Sequence, residues 1–290
     1  MEQKQFDITQ LAKKLYPLLE DEFEKDGLPY CSKCQTPRFC KIDREDAPPF
    51  ITRVRCKCQQ EKYEAEEKRK LIEKRKADFR ARQKLSMIGE KYLDATLDTA
   101  ILTPSNEQAY KSAKAYVQQA QAVLSNNIGL YIYGDNSSGK TYLMACICNA
   151  LVEKGYSCAF TSIPKLLAET GRSVRENRMS QAEIVDNLAR RRFVFIDDLG
   201  KEFIGDRGDY NWKKAERLLL DVLNARYSNG LPTIFTSNYS LEEFAERFGL
   251  DKAIIERVNE MATRVIRLDG DNFRMIALQE KMQLAKRLGI

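Results

Sequence analysis

Apolar residues follow two different rhythms along this chain. Near the start, Ile8, Leu11, Leu15, Leu18, Leu19 and Phe23 recur every three to four positions. That spacing predicts an amphipathic helix from Ile8 to Phe23, with Asp7 as its N-cap and Gln10 completing a capping box. Its apolar stripe suits either packing within its own domain or docking to a partner, and both roles stay open. Residues Cys31 to Cys58 carry Pro37, Pro48 and Pro49 and no sustained periodicity, so they predict loops. Glu61 to Lys84 is a dense run of both charge signs with Tyr63, Leu71, Ile72 and Phe79 scattered through it. It predicts a long, solvated helix that links two domains, with Lys68–Lys70 and Lys74–Lys76 as the stretches where nucleic acid would touch it.

From about Tyr92 short apolar runs alternate with longer helical stretches. Strands are predicted at Ile128–Tyr133, Ser157–Thr161, Phe193–Ile196, Thr233–Thr236 and Arg264–Leu268, and helices at Lys140–Lys154, ending at Gly155, and Trp212–Ser228. Strands separated by helices imply βαβ units and a parallel five-stranded sheet, an α/β fold. The expected organisation is an N-terminal module over residues 1–60, a charged helical linker over 61–90 and an α/β domain over 91–290. No internal repeat is visible.

Composition narrows the chemistry. The 290 residues are 43% hydrophobic and 31% charged, an ordinary soluble balance, with a net charge of +6 that permits an acidic partner such as nucleic acid. There is no histidine, which excludes a Ser-His-Asp triad, a His-ligated metal and an imidazole base. Met1–Gln10 is polar, and the longest apolar run, near Tyr142–Val152, falls short of the roughly 20 residues that span a bilayer. The expectation is a cytoplasmic protein without membrane segments, its eight cysteines reduced.

The segment Gly134-Asp135-Asn136-Ser137-Ser138-Gly139-Lys140-Thr141 matches G-x-x-x-x-G-K-[ST] between a predicted strand and a predicted helix. Two glycines let the backbone turn its N–H groups inward on phosphates, and the helix N-terminus adds partial positive charge. This points to ATP, with Lys140 on the β- and γ-phosphates and the Thr141 hydroxyl on Mg²⁺. Phe193-Val-Phe-Ile-Asp197-Asp198 supplies an apolar strand ending in acids, where parallel sheets bind ligands. Asp197 is placed to hold Mg²⁺ and Asp198 to orient or deprotonate the attacking water. The fourth strand ends in Thr236-Ser237-Asn238. If it lies beside the P-loop strand, Asn238 reaches the γ-phosphate or the water.

Cys31-x-x-Cys34 and Cys56-x-Cys58 form two close pairs joined by a loop, a spacing suited to structural tetrahedral Zn²⁺. Lys33, Arg38, Lys41, Arg53, Arg55 and Lys57 would stabilise the net negative charge of four thiolates on zinc. Cys40 is a spare that can replace one ligand. Cys146, Cys148 and Cys158 sit in core-like positions as small apolar residues.

Together these segments resemble the DnaC/DnaI-type replicative helicase loaders, AAA+ ATPases related to the IstB transposition helpers. The resemblance runs from about Cys31 to Arg274: a cysteine cluster ending in Cys-x-Cys, a charged helix, Lys91-Tyr-Leu-Asp-Ala-Thr-Leu97, the P-loop, Asp197 to Glu202, and Thr236 to Leu241. It implies an AAA+ P-loop ATPase that binds a DnaB-type replicative helicase through its N-terminal module, contacts single-stranded DNA and forms a homo-oligomer with ATP at subunit interfaces. It also implies an arginine finger. Arg257 in Ile255-Glu-Arg-Val258 fits that place, with Arg247 and Arg264 as rivals, and Arg274 in Gly270-Asp-Asn-Phe-Arg274 matches a further family motif. Ser137 stands where the family usually has Gly, and Tyr142 where it often has His. Asp198 stands where AAA+ proteins commonly have Glu. No sensor-II arginine helix is visible, which implies incomplete closure over the nucleotide and low intrinsic turnover. A transposition-helper ATPase and a nucleotide-dependent adaptor with little hydrolysis are the competing readings.

Overall fold

The computed structural model describes residues 17–26, 28–42, 50–203, 209–270, 272–288 and 290. They fall into two compact units that divide between Ala77 and Asp78. The first unit holds two antiparallel hairpins, β1 (Glu22–Lys25) with β2 (Leu28–Cys31) and β3 (Phe39–Ile42) with β4 (Phe50–Arg53). Of the helix expected over Ile8–Phe23, the part up to Tyr16 lies outside the described residues. The remainder is not helical: Pro17–Asp21 is coil and turn, and Phe23 lies in β1. Tertiary pairing decides this, because the Glu22 carboxylate is drawn to Arg53 at 2.8 Å and faces Arg38 at 3.6 Å. Helix α1 (Lys57–Leu85) begins directly after Cys56 and is exposed along nearly its whole length, with only Gln83 buried.

The second unit is built on a five-stranded parallel sheet in the order β6 (Cys158–Thr161), β7 (Phe193–Leu199), β8 (Thr233–Ser237), β5 (Leu130–Tyr133), β9 (Arg264–Arg267). Alternate residues of each strand feed opposite faces, the period-two geometry of a pleated sheet. Leu130, Ile132, Phe193, Phe195 and Ile234 pack on one side with α2 (Glu107–Gln118), α3 (Ala120–Ser125) and α4 (Lys140–Glu153). Tyr131, Val194, Ile196 and Phe235 pack on the other. There they meet α5 (Ile163–Arg175), α6 (Gln181–Ala189), α7 (Tyr210–Ser228), α8 (Leu241–Phe248) and α9 (Lys252–Met261). Helix α10 (Phe273–Arg287) follows β9. Buried on both faces, β5 and the Phe193–Ile196 stretch of β7 read as unbroken apolar runs, which makes them legible, whereas β9 exposes three of its four residues. Among the described residues no helix is long and apolar enough to cross a membrane.

Candidate functional site

The loop from β5 to α4 wraps its own lysine. The Lys140 ammonium is buried and donates to the carbonyls of Gly134 at 2.8 Å and Asp135 at 2.7 Å. Burial lowers its pKa, and the charges of Asp198, Asp135 and Asp197 oppose that shift. Gly134 has φ 148° and an added Cβ would lie 2.1 Å from the Leu268 carbonyl oxygen, so no side chain fits there. Gly139, at φ 93°, turns the chain into the first residue of α4. Ser137, between them, adopts φ 70° despite its side chain. The neighbouring Ser138 hydroxyl is buried with no hydrogen-bond partner among the described residues. Left-handed glycines, a helix N-terminus, a buried ammonium and an unpartnered buried hydroxyl converge here. That donor set fits a polyphosphate.

Strand β7 brings the acids to the same place. The register between β7 and β8 shifts between Ile196↔Phe235 and Leu199↔Ser237, so Asp197 and Asp198 together oppose the single residue Thr236. Such a bulge re-aims side chains at a sheet edge. Asp197 Oδ1 accepts from the hydroxyls of Thr141 at 3.0 Å and Thr236 at 2.6 Å. Burial raises the Asp197 pKa, against those two hydrogen bonds. Asp198 takes the left-handed backbone region at φ 57°, its N–H donates to Thr236 Oγ1 at 2.9 Å, and its carboxylate meets Lys201 at 3.2 Å. A carboxylate beside a hydroxyl at the helix start is a donor set suited to a hard divalent cation such as Mg²⁺.

A cavity of about 370 Å³ joins these groups, and its walls include Lys91, Tyr92, Lys140, Thr141, Asp198, Asn238 and Arg274. Asn238 is there because β8 pairs directly with β5. An apolar cavity of about 270 Å³ adjoins it at Gly139, Tyr142 and Phe273, and reaches Thr99, Tyr110 and Ile276. The expectation that no arginine helix closes over this site is corrected. Helix α10 starts against the P-loop, the Phe273 N–H donates to the Ser137 carbonyl at 3.1 Å, and Arg274 follows directly. Periodicity hid this helix because Met275, Leu278 and Met282 leave its apolar residues half-exposed. The Gly-Asp-Asn-Phe-Arg string was the only available signal.

Arg257 is not among the described residues lining the cavity. It lies on α9, 3.8 Å over the Tyr227 ring, and pairs with Glu260 at 2.8 Å. Arg247 stacks on Tyr239, while Arg264 is exposed at the start of β9. Thr236 reads in the sequence as part of a polar strand end, and nothing local marks it, since Thr233 and Ser237 of the same strand are also polar and buried.

In the first unit, the sulfurs of Cys31, Cys34, Cys56 and Cys58 all lie within 4.8 Å of one another. Cys31 and Cys58 are 3.7 Å apart, Cys56 and Cys58 3.3 Å. Tetrahedral zinc with Zn–S near 2.3 Å sets sulfurs about 3.8 Å apart, so the four thiols fit Zn²⁺. The Thr36 hydroxyl, 3.0 Å from Cys34, pulls that thiol down to about 5. The Cys31 thiol is lowered as well, first by the Cys34 backbone N–H. Its partner Cys58 is pushed up to about 12, chiefly through the Cys56 thiol. Burial works against the Arg38 charge, yet Cys56, Asp21, Cys31 and Glu22 hold it above its ordinary range. Cys40 is exposed on β3 and outside the four-sulfur group.

Comparison with known proteins agrees with this geometry. The chain is 27% identical over 278 residues to the replicative helicase loader DnaI of Bacillus subtilis, covering 92% of this chain and 84% of the relative. It is 22% identical over 168 residues to the replicative helicase loader DnaC of Escherichia coli, covering 57% of this chain and 63% of that one. The crystal structure of the DnaC helicase loader shares the fold with a TM-score of 0.50 at 23% identity, over 63% of this chain and all of the other. A family-wide profile described as IstB-like ATP binding protein matches residues 108–282. That match covers more than half the chain and takes in the P-loop, both acids, Asn238 and Arg274, so the chain belongs to the IstB-like ATP-binding family.

Proposed function

We propose that this chain is an ATP-hydrolysing loader that binds a DnaB-type replicative helicase and delivers it onto single-stranded DNA. The observation that carries the reading is the meeting of Lys140, Thr141, Asp197, Asp198, Asn238 and Arg274 in one cleft. The chain is also similar to DnaI along 92% of its length. Asp135, Asn136, Ser137 and Ser138 shape the loop, Lys140 and Arg274 take the phosphate charge, and Tyr142 and Phe273 wall the apolar cavity for the base. Thr141 and Asp197 would hold Mg²⁺, which when bound neutralises charge on the phosphates. Asp198 accepts the proton of the attacking water and Asn238 orients it. Arg257 serves the site of a neighbouring copy, consistent with its distance from its own cleft. The four cysteines would hold one structural zinc and so shape the helicase-gripping module.

The test is transfer of a purified DnaB-type helicase onto closed circular single-stranded DNA. Wild type should load it with ATP, and Lys140→Ala should lose ATP-dependent loading and turnover, by about 10²-fold or more. Equal loading by Lys140→Ala under all nucleotide conditions refutes the mechanism. Preference for duplex DNA without helicase transfer would instead favour a transposition helper.

A further inference from the structure

Thr236 is fully buried in the middle of the parallel sheet, one residue from its end, where an apolar residue would pack at no polar cost. Most buried hydroxyls are hydrogen-bonded, because an unpaired one loses its contact with water for nothing. Here donor and acceptor are used on two different acids. Its single hydrogen goes to Asp197 Oδ1 at 2.6 Å, and its oxygen accepts the Asp198 N–H at 2.9 Å. The second contact falls in the bulge, where Asp197 and Asp198 together face one β8 residue. It also anchors Asp198 in the left-handed region that an aspartate enters only under constraint. Thr141 meets the same Asp197 oxygen from α4 at 3.0 Å, so one hydroxyl from a helix and one from a strand clamp a single carboxylate oxygen.

We infer that Thr236 is the positioning residue of the hydrolytic site: its hydroxyl fixes the rotamer of Asp197 and the backbone turn of Asp198 together, so that each acid takes its separate role. Thr236 is not among the described residues lining the cleft. It acts through the acids, and sits two residues before the cleft-lining Asn238 on the same strand end. The inference rests on the ATPase reading above.

The test uses the full chain with Thr236→Val, which keeps the shape and loses the hydroxyl, and Thr236→Ser, which keeps the hydroxyl and loses the methyl. Steady-state ATP turnover, affinity for a fluorescent ATP analogue with and without Mg²⁺, and the midpoint of thermal unfolding are read for each. Outer partners of metal-holding carboxylates are worth roughly 10–100-fold. Thr236→Val should lower kcat by about that factor, abolish most of the Mg²⁺-dependent gain in affinity, and leave the affinity without Mg²⁺ within about threefold. Thr236→Ser should restore both. The inference is overturned if Val matches wild type, or if Ser falls as far as Val, since packing of the methyl would then be the cause. Lys140→Ala run alongside separates the two readings. If wild type shows no Lys140-dependent turnover, the ATPase reading fails, and the Mg²⁺-dependent affinity still decides Thr236.

Discussion

Where burial is described in the first unit, Pro29, Cys31, Arg38 and Cys56 are buried, whereas long stretches of the second, such as Phe193–Ile196 and Thr233–Ser237, are out of contact with water. Two hairpins of four-residue strands cannot bury enough apolar surface to offset the entropy of ordering them. The first unit instead gathers four thiols and the Arg38–Asp21, Arg38–Glu22 and Arg53–Glu22 ion pairs. The second uses two apolar layers on one sheet, and keeps polar groups for the cleft at the strand ends. The contrast teaches that stability and function are separable in the second unit and joined in the first: there two of the four residues that would bind metal, Cys31 and Cys56, are themselves buried.

The largest expected effect comes from breaking that join. With the metal removed by a strong chelator, amide exchange should become fast across β1–β4 while β5, β7 and β8 keep their protection. Structural zinc contributes on the order of 10 kcal/mol to small modules. Hairpins that stay protected after zinc is gone, or a purified chain that carries no zinc, would remove the metal from the account.

Next in size is a buried acid in the second unit. Glu202 accepts the Gly200 N–H at 3.1 Å, but its other oxygen is buried without a hydrogen bond among the described residues, and burial pushes its pKa up to about 7. The folded state therefore holds a proton that the unfolded state, with an ordinary value near 4.5, has lost. Its contribution is present below pH 4.5 and is lost as pH rises through about 7, a difference on the order of 3 kcal/mol. Glu202→Gln should flatten the decline in unfolding midpoint between pH 5 and 8. An unchanged slope would show that Glu202 is solvated in the native state.

The smallest effect sharpens the comparison inside the P-loop. Ser137 at φ 70° bears a strain of about 1 kcal/mol that glycine would not. Ser137→Gly should raise the unfolding free energy by about that amount and leave nucleotide affinity within about threefold. Reduced stability would show that the serine hydroxyl outweighs its backbone strain.

Much of the second unit was legible because its strands buried on both faces appear as Ile128–Tyr133 or Phe193–Ile196, correct to within two or three residues at each end. Lys140, Thr141, Asp197 and Asp198 were legible because phosphate binding demands a loop of fixed length between a strand and a helix. The helices Ile163–Arg175 and Gln181–Ala189 went unread, as did the four N-terminal strands, which are too short and polar to leave a period. Arg274 was noticed without a role, since only the docking of α10 against Ser137 brings it to the cleft.

The sequence by itself determined the chemistry that depends on local spacing: the P-loop, the acid pair, the two cysteine pairs and the alternation that requires a parallel sheet. Tertiary structure decided which distant segments share a site. Strand order set β8 beside β5 and brought Asn238 to the phosphate side, and the β7 bulge turned two consecutive aspartates toward one threonine. Spacing along a chain fixes what neighbours can do together. Contacts between segments forty residues or more apart depend on which faces the core buries, and those faces are chosen only when the whole sheet assembles.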